Sequence, residues 1–400
     1  MTVPRLTFEV AFGVDPNTVP TAGQWVDLSS RVRSNPGVSW TFGRRFELDR
    51  TEAGVGSVTL DNADRELDPA NEASTYWPDV KPMVRCRLIA DTYSDVYSDT
   101  YDGTQVFEGF IEGWRPVWPG QTDSVVQVPI VDGFKLLSQA RTSAAYTEET
   151  SGSRIGNLLD AAGWPASTRD LDTGQSDVQA YTESDRTVLS AIKEAATTED
   201  GVFLIAPDGT ATFRDRNSRI LNLTSEVTFG DGAGELPYYD LVPSFDDERV
   251  WNDISVTPAG LTVQRASDSA SESSYGLRSL SLSTLHTSEL VAADFAGWLV
   301  TRYAQPTLRV DTIVLLGHAD DEVLGQVLTR TPGDRVTIKR RPPGGGDPIV
   351  LEVFIESVTH NVTAAEWVTT WGLSAASSQT FWLLGEAGFS EIGETTTLGF

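Results

Sequence analysis

Two short stretches far apart in the chain repeat one pattern: Phe110-Ile111-Glu112-Gly113-Trp114 and Phe354-Ile355-Glu356-Ser357-Val358. Each follows an alternating run (Val84 to Leu88, Val336 to Lys339) and precedes another (Val125 to Val128, Trp367 to Leu373). A strand group with one apolar face cannot bury that face alone, so a repeated group implies two related β units packed side by side. That repeat excludes an all-helical chain and sets the symmetry to look for.

What lies between the copies has a different period. Residues 1–140 keep a β rhythm, with runs such as Leu6-Thr7-Phe8-Glu9-Val10 and Gly56-Ser57-Val58-Thr59-Leu60 broken at Asn35-Pro36-Gly37 and Trp118-Pro119-Gly120. Over 141–218, Ile155, Leu158, Leu159 and Ala162 fall on one helical face, and Gly163 stands where a left-handed cap belongs. A second helix is predicted from Asp185 to Thr198 with Ser184 as its cap, then a hairpin about Pro207-Asp208-Gly209. From 219 to 385 strands return, with one long helix over Glu289–Tyr303 capped by Ser288 and a shorter one over Asp320–Leu328. The Pro342-Pro343-Gly344-Gly345-Gly346-Asp347 stretch reads as a hairpin tip, since no helix and no Gly-Lys-Ser/Thr follow it. The expected fold class is mainly β with an α+β insertion: β-barrel or sandwich segments at 1–140 and 219–385 flanking a small module at 141–218, then a tail at 386–400.

Charge and motif content narrow the function. The 30 basic against 57 acidic residues give a net charge of -27, a field that repels phosphate backbones and argues against nucleic-acid binding. Cys86, the only cysteine, lies in an apolar alternating run and reads as a buried strand thiol. His286, His318 and His360 have no metal spacing and are expected at the surface or half-buried. Asp61, Asp64, Glu66 and Asp68 depart from the spacing of a calcium loop and suit a turn held by side-chain to backbone hydrogen bonds. No nucleophile elbow and no Cys-His pair is present, so catalytic residues, cofactors and metals are not expected. The N-terminus lacks a basic segment followed by an apolar stretch, and no run reaches the ~18 apolar residues of a membrane helix. The expectation is a chain that folds in a cytoplasm and does not insert into membranes.

Several phrases stand in a fixed order along the chain. They are Trp25-Val26-Asp27-Leu28-Ser29, then Gly56 through Asp61-Asn62-Ala63-Asp64-Arg65 with Asp68-Pro69-Ala70-Asn71, and Val106 to Trp114. Later come Trp251-Asn252-Asp253-Ile254-Ser255-Val256, Arg302-Tyr303-Ala304-Gln305-Pro306, and the close Phe381-Trp382-Leu383-Leu384-Gly385. In that order they resemble the minor tail proteins of siphophages, especially those of actinobacterial hosts, although Ser74-Thr75-Tyr76 stands where that family's Ser-Pro-Tyr is usual. The resemblance implies a baseplate hub at the tail tip, with two tail-tube-like β barrels per chain around the α+β module and three chains in a ring. It further implies a homotrimer whose partners are the tail tube protein, the tape-measure protein and other minor tail or fibre proteins. The protein would then sit in the virion and form part of the path for DNA ejection, without specific nucleic-acid binding.

Candidate contact residues follow from side-chain type. Tyr93, Tyr97 and Tyr101 recur among Ser, Thr and Asp in an expected loop, and tyrosine suits interfaces. Trp77, Trp118 and Trp164 adjoin prolines in predicted turns and are candidates for exposed contacts, whereas the other tryptophans are expected in cores. Competing classes are a peripheral receptor- or carbohydrate-binding protein, marked by an exposed aromatic groove, and a peptidoglycan-cleaving enzyme, marked by paired carboxylates in a cleft.

Overall fold

In the first third of the chain, alternation becomes strands β1 (Leu6–Ala11), β2 (Val26–Asp27), β3 (Val38–Gly43), β4 (Glu52–Asp61) and β5 (Arg85–Ala90). Strands β6 (Thr104–Ile111), β7 (Arg115–Val117) and β8 (Val125–Val131) follow, and α1 (Phe134–Gln139) closes the segment. This is a computed structural model, which describes residues 4–90, 103–120 and 123–376 and the strand pieces Thr380–Phe381 and Thr396–Thr397. Tyr93, Tyr97 and Tyr101, most of the Phe381 to Gly385 phrase, and nearly all of the tail lie outside the described residues. The acidic loop after β4 is a series of turns: Asp61, Asp64 and Asp68 each accept from the backbone N–H two residues on, at 3.0, 3.1 and 3.0 Å. Asn62 adds a bond from the Leu67 N–H at 2.8 Å, as its side-chain chemistry suggests.

The middle segment holds α2 (Ser151–Ala161), β9 (Arg169–Leu171), α3 (Val188–Glu199), the hairpin β10 (Val202–Ile205) and β11 (Ala211–Arg214), and α4 (Arg216–Ile220). Its core joins Ile155, Leu158 and Leu159 of α2 to Val188 and Ile192 of α3 and to Phe203 and Phe213 of the hairpin. Gly163 takes φ +70 beyond α2, as the cap requires. The start of α3 differs from the expectation. Asp185 has φ +46, which a helix cannot hold, so Thr187 is the cap and its hydroxyl accepts from the Ser190 N–H.

Beyond it come β12 (Thr228–Phe229) and β13 (Asp240–Ser244), then a unit absent from the sequence reading. It contains β14 (Asp253–Pro258), β15 (Gln264–Ser267), α5 (Ser269–Tyr275), β16 (Ser279–Thr284) and α6 (Glu289–Tyr303). The long helix packs on this three-stranded sheet, order β15-β14-β16, rather than on the large one, with Ile254 and Val256 against Phe295 and Leu299. The last strands are β17 (Arg309–Leu316), β18 (Arg335–Arg340), β19 (Ile349–Val362) and β20 (Trp367–Ala375), with α7 (Asp321–Thr329) before β18. Asp320 caps α7 through the N–H groups of Glu322 and Val323.

Among the described residues fourteen strands make one sheet. Its path is β13-β17-β20-β19-β3-β4-β8-β6-β5-β1-β2, with β18 joining β12 to β19 and β7 joining β8. The chain is therefore mainly β with α+β insertions. Within the path the repeated motif governs the pairing. The order β3-β4-β8-β6-β5 recurs as β13-β17-β20-β19-β18, antiparallel at every step. Arg85 faces Phe110 in one half and Arg335 faces Phe354 in the other, each guanidinium lying over the ring at 4.9 and 6.0 Å. Ile111 faces Ile130 and Arg115 faces Gln127, while Ile355 faces Leu373 and Ser357 faces Gly372, so each repeat strand carries one extra residue just past its isoleucine.

Cys86 faces Val10 and Gly109 and is fully buried, where desolvation pushes its thiol well above the ordinary value. It should stay unreactive toward a disulfide-exchange reagent at pH 8 and react only on unfolding, as a spectrophotometric thiol titration checks.

Candidate functional site

The two halves meet where β3 lies beside the second part of β19, from Val38 facing Val362 to Gly43 facing Ser357. Aromatic packing seals the inner face of this seam. Trp40 of β3 stacks on His360 of β19 at 4.5 Å and meets Trp367 of β20 edge-on at 5.9 Å, and all three are buried. The His360 ring sits between donors: the Trp367 indole N–H points to Nδ1 at 3.2 Å, and the Thr369 hydroxyl lies 2.9 Å from the same atom. A ring accepting there is neutral, and burial lowers its pKa to about 3. His286 is likewise fully buried, beside Thr284 and Phe295, and only His318 is half-buried. The expectation of surface or half-buried histidines is corrected for the first two, because apolar neighbours stabilise a neutral imidazole as they would an aromatic ring.

At one end of the seam the extra residue of the β19 repeat, Glu356, turns inward. Arg44, just past β3, donates from Nε to Glu356 at 2.6 Å, and Arg219 of α4 reaches the other carboxylate oxygen at 2.5 Å. The Ser374 hydroxyl of β20 donates to it as well. Burial opposes charge on Glu356, yet Arg219 and Arg44 hold its pKa at about 2. Arg302 of α6 extends the cluster through Glu47 at 3.0 Å. Charges from both halves, the middle module and the small α+β unit thus meet at one point, which fixes how four packed units sit together. Glu112, the counterpart of Glu356 in the first half, only pairs with Lys135 at the surface, at 2.6 Å.

Gly43 makes the seam possible. Its φ is +107, and a Cβ there would lie 2.3 Å from the Glu356 carbonyl oxygen. Gly43→Ala should cost about 2 kcal/mol or more, read as a lower denaturant midpoint, because both the backbone angle and the contact oppose it.

The outer edges of the sheet remain open. Among the described residues β13 pairs only with β17, and β7 only with β8. Both edges carry exposed apolar side chains: Val242 (45 %) and Phe245 (68 %) on and beside β13, Val117 and Trp118 (69 %) on and beside β7. Of the sequence-predicted contact residues, Trp118 and Trp77 (48 %) are exposed in their turns. Trp164 is not: it is 7 % exposed, packs into the middle core and donates its indole N–H to the Thr168 carbonyl at 3.0 Å. A turn beside a proline is no guide to exposure when a helix end closes over it. The β13 edge was missed because Leu241 and Val242 read like part of any short strand, and nothing in the sequence says that their neighbour is lacking.

A crevice of about 460 Å³ runs between the end of α6 and the start of β19, lined by Arg249, Arg302, Arg309 and Arg335. Asp311, Glu47, Asp246 and Glu352 neutralise these in turn, so the crevice offers an anion no free charge. No group of three or more His, Cys, Asp or Glu suited to a metal occurs among the described residues, and none of their helices is long and apolar enough to cross a membrane.

The architecture is the fold of phage tail proteins. A prophage MuSo2 43 kDa tail protein from Shewanella oneidensis superposes with TM-score 0.56 at 13% identity, over 93% of this chain and 97% of that one. A tail protein from Neisseria meningitidis MC58 superposes with TM-score 0.60 at 13% identity, over 93% and 96%. A Francisella PdpA-VgrG complex matches with TM-score 0.50 at 8% identity, over 94% of this chain and 59% of that one. No family model and no curated protein sequence matches the chain.

Proposed function

We propose that this chain is a structural component of a phage tail tip, three copies of which form a hub ring joining the tail tube to the distal tip proteins. The observation that carries the reading is the duplicated strand order, with shared register and shared bulge, within a fold common to phage tail proteins. Two like β units per chain, one in 1–140 and one in 219–385, let three chains present six similar units to a sixfold tube, and the module at 141–218 sits between them as an insertion. The role is mechanical and not enzymatic: no cofactor or metal is needed, and the carboxylates at the seam are bound to arginines. The ring would hold the end of the tape-measure protein and later pass DNA, and the net charge of -27 suits a wall to which DNA does not adhere. The siphophage character and the contacts to tube, tape-measure and fibre proteins rest on the sequence phrases around Leu60-Asp61-Asn62 and Val106 to Trp114.

Cryo-electron microscopy of the intact virion tests this directly. A threefold ring on the tail axis carrying this chain is expected. A peripheral position would overturn the hub in favour of a receptor- or carbohydrate-binding role, and a lumen lined mainly by arginine would overturn the conduit.

A further inference from the structure

The seam inside the chain is a template for a contact that its described residues leave unmade. β3 is the outermost strand of the first group, and in the second group β13 holds the same place: Val38 faces inward-pointing Val58, and Leu241 faces inward-pointing Ile313. The ladders agree one step further, since Val58 faces Val128 and Ile313 faces Trp371. Both outer strands carry a register shift past that point, between Thr41 and Gly43 and, two residues earlier in the alignment, between Val242 and Pro243. β3 is covered, because it lies along residues 357–362 of β19. The first-half counterpart of that stretch is β7, with Val117 facing Val125 as Asn361 faces Val368. So each group has a donor edge (β3, β13) and an acceptor edge (β19, β7). One donor and one acceptor are joined within the chain, and one of each has no strand partner among the described residues.

We infer that β13 of one copy pairs antiparallel with β7 of the next, repeating between chains the β3–β19 seam found within the chain. This deepens the ring proposed above and rests on it. Transferring the internal register sets Val242 against Val117, where Ser39 meets Asn361 in the seam, and Leu241 against Trp118, where Val38 meets Val362. The exposed residues fit that position. The polar Ser39–Asn361 pair becomes a Val–Val pair, and unpaired strand edges bearing apolar side chains are otherwise an aggregation hazard. Pro116 and Pro243 each lack a backbone donor, so this joint has fewer ladder hydrogen bonds than the internal one and depends more on side-chain burial. Such a contact is heterologous: half one joins half two, which joins half one of the next copy. It closes into a ring only if the rotation within the chain matches the rotation between chains.

The test uses the full chain with Val117→Cys and Val242→Cys together, treated with a short bis-maleimide and run on a denaturing gel. The native Cys86 is buried and does not compete. The double variant is expected to give a covalent trimer, a mixture of the two single variants a covalent dimer, and each single variant alone no cross-link. A trimer by light scattering in which these cysteines stay unlinked overturns the strand pairing and leaves the ring intact. A chain that stays monomeric at its highest soluble concentration overturns both. Linking of Val242→Cys to a cysteine two residues along β7 (Arg115→Cys) as efficient as to Val117→Cys overturns the register.

Discussion

Glu356→Ala is expected to lower the free energy of unfolding by roughly 3–5 kcal/mol, because it leaves Arg44 and Arg219 facing each other with no carboxylate between them. The loss comes less from the pair's net contribution than from the uncompensated buried charge that remains. A control is built into the molecule. Glu112 holds the equivalent position in the other half but pairs with Lys135 at the surface, so Glu112→Ala should cost under about 1 kcal/mol. Guanidinium unfolding followed by tryptophan fluorescence measures both. Equal losses would mean that the seam cluster does not hold the units together.

The second large effect is acid weakening of the same seam. His360 is neutral in the fold with a pKa of about 3, against an ordinary value of 6.5. Its folded value is depressed, so the unfolded chain binds the extra proton. The stability that the neutral ring contributes is complete above pH 6.5 and is lost as pH falls from 6.5 toward 3. Between pH 7 and pH 5 the loss is about 2 kcal/mol. Glu356 acts in the same sense only lower, between its ordinary value of 4.5 and about 2. Asp132 acts in the opposite sense: burial pushes its carboxyl up to about 7, so the fold holds its proton and gains stability as pH falls. His360 is therefore isolated by subtraction. His360→Gln keeps an acceptor for Trp367 and Thr369 without the titration, and the stability difference between parent and variant should shrink by about 2 kcal/mol from pH 7 to pH 5. A difference that does not change with pH would show that His360 titrates normally in the fold.

These two experiments fall on residues that the sequence displayed without ranking. Glu356 was visible as the third letter of a repeat, and its twin Glu112 looked the same. Only the fold brings Arg44, 312 residues away, and Arg219, 137 residues away, to one copy and leaves the other at the surface. His360 reads from the sequence as a surface or half-buried histidine, since strand alternation marks a face and not what covers it. The helices over 151–161, 289–303 and 321–329 and the Pro207-Asp208-Gly209 hairpin were legible because caps, turns and periodicity act over a few residues. The small unit around α6 was not, because its three strands are short and which sheet takes a helix depends on contacts far along the chain.

What the sequence determined by itself is the set of parts. Local alternation made the strands, capping and 3.6-residue periodicity made the helices, and the Phe-Ile-Glu repeat required two strand groups of one design. The tertiary structure alone decided how those groups join: β3 on β19, through a left-handed Gly43 and a buried carboxylate, with the outer sides of β13 and β7 open among the described residues. Pairing between strands more than three hundred residues apart is set by edge geometry and by burial of both partners at once, and neither is a property of either strand alone.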